Sequence, residues 1–328
     1  MPYLIYMRFL LNQQKTLPIL NMLWWIVLIV ILIFLFVFLV MYFYWNEPYP
    51  ITSVELEEGR KEISNSRVVF AGLIRDNEEY VCKTRKFLEG LGKSFQDYRI
   101  LIVENDSKDN TRKRLLRWQK QNPKVTILGC GVNARECRMN LEATKSKTHG
   151  SNRISKMAQL RNIYVDYVNE HFRDWDYLVV NDLDLVADLS NTGWVSTFGY
   201  LNKDPSLSAV SAYGYYDLWF KKVFYDDFAF VPIGSPIEIP NKKDISFKIG
   251  EKIEMESYLL ETKKELAPVR SAFSGLTVYR ISHISKDARY DYCRKENMKA
   301  CEHSYFNQHL EKIVVHPGLK YRIIRNNT

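Results

Sequence analysis

Hydrophobic positions fall into two regimes along this chain. Positions 22–45 form one uncharged block, nearly all Leu, Ile, Val, Phe, Trp, Tyr and Met. From position 67 onward, short apolar runs alternate with amphipathic stretches. RVVFAGLI (67–74), YRILIVE (98–104), KVTIL (124–128) and DYLVVND (176–182) are β-rich runs, and helical periodicity marks 78–91, 110–121 and 154–172 between them. Near-continuous apolar strands separated by helices predict a parallel sheet covered on both faces. That is a doubly wound α/β domain, whose ligands bind beyond the carboxyl ends of the strands.

Beyond Leu185 the pattern loosens. LSAVSAYGYYDLWF (207–220) starts as a strand and turns aromatic, 221–268 is irregular, and SAFSGLTVYRI (271–281) returns to strand. Gly275 inside that last run predicts a bulge or a close backbone approach. Residues 46–66, with Pro48, Pro50 and mixed charges, read as a polar stem.

The block at 22–45 would extend about 36 Å as a helix, enough to cross a hydrocarbon core of about 30 Å. Trp24 and Trp25 at one end and Tyr42, Tyr44 and Trp45 at the other suit the two membrane interfaces. Arg8 and Lys15 precede the block, while Glu47, Glu55, Glu57 and Glu58 follow it. Positive-inside bias therefore places a tail, 1–21, in the cytosol and residues 46–328 in a secretory lumen or outside the membrane, cellular or viral. All five cysteines lie in that translocated part, where disulfides are permitted. Cys130 with Cys137 and Cys293 with Cys301 are the closest pairs and would staple two loops, leaving Cys82 as a small buried hydrophobe on a helix. The net charge of +8 suits an anionic ligand such as a diphosphate without requiring one.

Candidate chemistry gathers at strand ends. In VVNDLDLV (179–186) an extended backbone puts Asp182 and Asp184 on one face and Leu183 in the core. Two carboxylates there suit Mn²⁺ or Mg²⁺, which take one or two protein carboxylates and fill their remaining positions with water and phosphate oxygens. IVENDSKDNT (102–111) crowds Glu104, Asp106 and Asp109 into a strand-to-helix turn. Ordinary capping and Asx-turn chemistry accounts for part of that cluster, and Glu104 at the strand end is placed to meet a ribose or base edge.

RVVFAGLIRDNE, IVENDSKDNT, MAQLRNIYVDYV, VNDLDLV and FSGLTVYR stand in the order and spacing of the GT-A-fold glycosyltransferases of DxD type, which residues 66–320 resemble. Within that group the chain looks nearest to fungal capsule-mannosyltransferase-like and viral enzymes. ENDSKDNT is similar to the group's nucleotide-binding turn, with Glu104 and Asn105 where paired aspartates are usual, and Asp182-Leu183-Asp184 matches its metal motif. The resemblance implies a catalytic domain over 67–328. Residues 67–186 would bind a UDP- or GDP-hexose, and 187–328 a glycan or glycoconjugate acceptor. It places Arg75, Asp76, Glu104, Asp106, Arg161 and Asp182 on the donor, with Arg161 facing the diphosphate. His316 would join Asp182 and Asp184 on the metal. Glu302 would take the acceptor's proton or orient the acceptor, with His303 beside it. Tyr215, Asp217, Trp219, Ser274 and Gly275 would line the acceptor side. Nothing in the chain points to nucleic acid.

Two other readings fit the pattern. A sugar nucleotidyltransferase shares this sheet type but normally carries a glycine-rich basic turn where this chain has AGLIRDNE. A catalytically silent relative that binds glycans or proteins would have little use for Asp182, Asp184, Arg161 and Glu302 together.

Overall fold

The computed structural model describes residues 22, 24–40, 49–129, 151–184, 186–218, 221–240, 266–295 and 298–324. Trp219, Cys130, Cys137 and Asn326, the last in a glycosylation sequon, lie outside them. The chain divides into two units, 1–48 and 49–328.

In the first unit, 24–40 is helical (α1) and its apolar side chains are exposed. Among the described residues no helix is long and apolar enough to cross a membrane. The transmembrane helix expected over 22–45 is therefore not supplied, and Leu23 and residues 41–45 lie outside the description.

The second unit opens with a correction. Residues expected to be a stem form helix α2 (Ser53–Asn65), started by a capping box in which Thr52 and Glu55 satisfy each other's backbone N–H groups. It packs on α6 (Asn191–Lys203), where Gly59 and Gly199 let the two backbones touch. A Cβ on Gly59 would lie 2.0 Å from the Val195 carbonyl oxygen, and one on Gly199 2.4 Å from that of Glu55. Tyr177 donates to Glu62 at 2.7 Å, fastening α2 to the sheet. The contact rests on glycines and Ile63, with no broad apolar stripe, so hydrophobic patterning did not reveal it.

The expected alternation then holds through β1 (Arg67–Ile74), α3 (Val81–Gly92), β2 (Asp97–Glu104), α4 (Thr111–Gln121), β3 (Val125–Gly129), α5 (Ser151–His171) and β4 (Tyr177–Asn181). These four strands are mutually parallel in the order β3-β2-β1-β4. The rest of the sheet is mixed. It adds β5 (Val186–Leu189), β6 (Ala209–Leu218), β7 (Lys221–Phe224), β8 (Val231–Pro232), β10 (Ala267–Ser271), β11 (Leu276–Arg280) and β13 (Ile313–Ile324). β11 runs antiparallel between β4 and β6, and β13 lies parallel beside β6. A separate pair, β9 (Ile239–Pro240) with β12 (Met298–Lys299), lies off the main sheet, and α7 (Glu302–Asn307) is a short helix before β13. The sheet is thus parallel only in its first half.

Two apolar layers sandwich the sheet. One gathers Leu88, Leu115, Trp118, Trp194 and Phe198 from α3, α4 and α6; the other gathers Leu160, Tyr164, Val168 and Phe306 from α5 and α7. Each such side chain, once fully buried, contributes about 1.5–3 kcal/mol. The single strand expected over 271–281 is broken by a turn in which Ser274 and Gly275 have φ of 56° and 85°. The close approach expected at Gly275 is present, since a Cβ there would come within 2.9 Å of the Tyr321 ring.

Candidate active site

The carboxyl ends of β1, β2 and β4 lie along one edge of the sheet because the strands are parallel. Their loops are locked together. Asp76 accepts from the Lys108 N–H at 2.6 Å while its own N–H donates to Ser107 Oγ at 3.1 Å. Asp109 accepts from the N–H groups of Glu78 and Thr111, at 2.9 Å each, serving the start of α4. Asn77 donates through Nδ2 to the Leu183 carbonyl at 3.0 Å, tying the first loop to the turn that carries the aspartates.

That turn differs from expectation. β4 ends at Asn181, so Asp182 and Asp184 occupy a turn and not an extended strand. Leu183 still points into the core, leaving Asp182 partly buried and Asp184 exposed. The Asp182 N–H donates to the Gly275 carbonyl at 3.0 Å, and Asn181 Nδ2 donates to the same oxygen at 2.9 Å. Ser274 and Gly275, expected on the acceptor side, are buried supports beneath Asp182.

Arg161, on α5, is buried between two carboxylates. Its Nε donates to Glu302 Oε1 at 3.2 Å, and its Nη2 to Asp182 Oδ1 at 3.4 Å. The guanidinium also lies over the rings of Phe273 and Tyr290. Burial works against its charge, but Tyr164, Glu302 and Asp182 outweigh it and hold the group protonated. Nη1 has no partner among the described residues. A buried guanidinium N–H left open in this way suits an arriving anionic oxygen.

The remaining Asp182 oxygen accepts from the Tyr225 hydroxyl at 3.2 Å. The next residue, Asp226, has φ of 63°, an uncommon conformation for a residue with a side chain. Neither residue was singled out in the sequence; the one available signal is the acidic pair Asp226-Asp227 after an aromatic run. Burial raises the Asp182 carboxyl to about 7, with Arg161 opposing and Asp184 adding to the effect. Burial likewise raises Asp226 to about 8, helped by Asp182 and Glu302. The edge therefore carries more carboxylate than Arg161 alone neutralises.

Such a donor set fits a divalent cation at Asp182 and Asp184. Among the described residues no group of three or more His, Cys, Asp or Glu is arranged to hold a metal. Two carboxylates are sufficient for Mn²⁺ or Mg²⁺ when water and phosphate oxygens complete the shell. His316 does not join them. Its Nδ1 accepts from the Gly318 N–H at 3.2 Å, so its Nε2 carries the proton and donates to Ser196 Oγ at 2.8 Å. The ring is fully buried between Tyr49 and Tyr200, and burial lowers its pKa to about 3. No ring lone pair remains for a cation.

Other expected residues are distributed as follows. Glu104 is 1% exposed, accepting from the Ser107 N–H at 2.7 Å with Arg112 3.8 Å away, so it organises the turn from within. Asp106 sits at that turn's surface with φ of 51° and accepts from Asn105 Nδ2. Arg75 is exposed and paired with Asp76 at 3.3 Å. His303 is buried and stacked on Phe273 at 3.8 Å, with burial and Arg161 keeping it neutral. Tyr215 is buried, and Asp217 is paired with Arg322 at 2.7 Å. Cys293 and Cys301 are free thiols and do not form the expected bridge; the Cys301 thiol faces Glu302 Oε2 at 3.5 Å. Cys82 is exposed, contrary to its expected burial. A cavity of about 60 Å³ beside Asp182, lined by Lys83, Thr84, Phe87 and Tyr321, is too small for a nucleotide.

No protein-family model and no curated protein matches the chain. Among solved structures, Staphylococcus aureus TarS (residues 1–349) in complex with UDP-GlcNAc aligns at TM-score 0.45 and 10% identity, over 80% of this chain and 59% of that one. The mannosyltransferase PcManGT from Pyrobaculum calidifontis, in complex with GDP-Man and Mn²⁺, aligns at TM-score 0.42 and 11% identity, over 88% and 63%. A mycobacterial protein aligns at TM-score 0.43 and 11% identity, over 85% and 73%. This chain thus spans less than two thirds of the first two structures. All three scores lie below 0.5, and the fold stands on the topology of the chain itself.

Proposed function

We propose that this chain is a metal-dependent glycosyltransferase that moves a hexose from a UDP- or GDP-sugar to a hydroxyl of a carbohydrate or glycoconjugate. The observation that carries the reading is Arg161, held by Asp182 and Glu302 at the carboxyl edge of the parallel strands with one guanidinium nitrogen left open. Asp182 and Asp184 hold the cation, which neutralises charge on the departing diphosphate. Arg161 presents Nη1 to a diphosphate oxygen. Asp76, Asp106 and Arg75 line the loops where the nucleotide docks, and Glu104 keeps those loops in shape. Glu302 fixes Arg161 and borders the acceptor side, where it receives the hydroxyl proton in an inverting transfer.

A donor panel with and without Mn²⁺ tests this. Metal-dependent release of UDP or GDP is the expected result. Absence of both turnover and nucleotide binding with every donor would sink the reading, and unchanged activity in Asp184→Ala would remove the metal assignment. Membrane anchoring through 22–45, with the tail in the cytosol, rests on the uncharged block and its flanking charges. Alkaline extraction of the full chain from membranes checks it; release into the supernatant would contradict it.

A further inference from the structure

Tyr225 stands just beyond β7, in the half of the chain that follows the acidic turn, and is half-buried. Its backbone N–H donates to the Gly214 carbonyl at 2.9 Å, which ties it to β6. The chain bends sharply at the next residue, Asp226, with its φ of 63°. The Tyr225 ring lies beside Gly275, where an added Cβ would be 3.5 Å from Cε1. From there the hydroxyl reaches Asp182 Oδ2 at 3.2 Å, across 43 residues of sequence.

Asp182 is thus held at three points. Its N–H donates to the Gly275 carbonyl at 3.0 Å, its Oδ1 accepts from Arg161 Nη2 at 3.4 Å, and its Oδ2 accepts from Tyr225. The number of donors matters because the last torsion of an aspartate joins an sp³ to an sp² carbon and has broad minima. A hydrogen bond to one oxygen alone leaves the carboxylate plane free to swing. Donors on both oxygens fix it. A carboxylate has about four lone-pair positions, so two remain for a cation once Arg161 and Tyr225 have taken theirs. A phenol, with an ordinary pKa of about 10, keeps its proton at neutral pH and can serve as the second donor. Asp184 is exposed, so the carboxylate whose orientation the fold sets is that of Asp182.

We propose that Tyr225 is a positioning residue for the metal: its hydroxyl sets the plane of the Asp182 carboxylate and thereby the affinity of the site for Mn²⁺ or Mg²⁺. This rests on the reading of Asp182 and Asp184 as the metal carboxylates of a transferase. It adds that the segment after β7, from the half of the chain assigned to the acceptor, completes the metal site of the donor half. Partners that orient a metal ligand from behind typically contribute about 10–100-fold in metal affinity.

Mn²⁺ binding to the full-length protein, read by electron paramagnetic resonance, tests it. Tyr225→Phe keeps the ring beside Gly275 and removes only the hydroxyl, and its Mn²⁺ dissociation constant should rise by about tenfold or more. The Mn²⁺ concentration giving half-maximal donor turnover should rise in step, with kcat at saturating Mn²⁺ retained. Tyr321→Phe is the control. It removes a hydroxyl that meets Asn181 Nδ2 and not Asp182, and should leave Mn²⁺ affinity at its native value. Unchanged affinity in Tyr225→Phe overturns the proposal. An equal loss in Tyr321→Phe does so too, because the effect would then belong to packing, and so does a Tyr225→Phe chain that fails to fold. A native protein that binds no Mn²⁺ refutes the metal reading and this inference with it. One that binds Mn²⁺ equally well without the Tyr225 hydroxyl refutes this inference alone.

Discussion

Arg161 and Glu302, 141 residues apart in sequence, meet at 3.2 Å, with the Arg161 side chain only 3% exposed and that of Glu302 8%. Asp182 shares the same guanidinium from its other side. A cation this deep between carboxylates organises the site because each partner would be costly to bury alone.

Arg161→Met should therefore destabilise the protein by about 3–5 kcal/mol, because it strands buried carboxylate. Adding Glu302→Gln should recover part of the loss. Chemical denaturation of both variants measures this, and a single variant as stable as the native protein would show that the guanidinium does not hold the site together.

His316 should behave as a core residue. His316→Ala removes hydrogen bonds to Ser196 and Gly318 and opens space beside Tyr49 and Tyr200. A loss of about 2–4 kcal/mol is expected from the cavity and the orphaned partners. Mn²⁺ affinity, read by electron paramagnetic resonance, should not change. A clear fall in affinity in the folded variant would restore His316 as a ligand.

Residues 53–65 should be indispensable to the folded domain. Gly59→Val drives a side chain into the Val195 carbonyl and should part α2 from α6. Limited proteolysis should then cut before residue 67, and a chain starting at residue 67 should melt earlier than one starting at residue 49. Equal melting of the two chains would return this segment to the status of a stem.

Stability of the metal-free protein should fall as pH rises from about 4 to about 8. The Asp182 and Asp226 carboxyls, raised to about 7 and about 8, keep their protons when folded and lose them near their ordinary value of 3.8 when unfolded. Within that window the folded state binds more protons, so each further rise in pH favours unfolding. Asp226→Asn should flatten the profile. Melting temperatures across this range provide the check, and a rise in stability from pH 5 to pH 8 would contradict the raised carboxyls.

Tertiary context explains where sequence reading stopped. Apolar periodicity identified β1, β2, β3 and β4 with the helices between them, because a strand buried on both faces must be apolar at every position. It also located Asp182 and Asp184, since polar groups interrupting such a run mark a strand end, whereas Arg161 was reached only through the family resemblance of MAQLRNIYVDYV. Period alone could not distinguish a continued strand from the left-handed turn at Ser274 and Gly275. Nor could it register a helix contact made by Gly59 and Gly199, which contribute no hydrophobic signal.

By itself, then, the sequence determined the alternating α/β half and the acidic pair that follows its fourth strand, both consequences of local pattern. Only the tertiary structure decided who meets whom: Arg161 with Glu302, Tyr225 with Asp182, and Arg322 with Asp217. It also withdrew His316 into the core and left Cys293 and Cys301 unjoined. The physical reason is the same throughout. Hydrogen bonds and charge pairs between residues far apart in sequence depend on strand order, register and packing, which no local periodicity encodes.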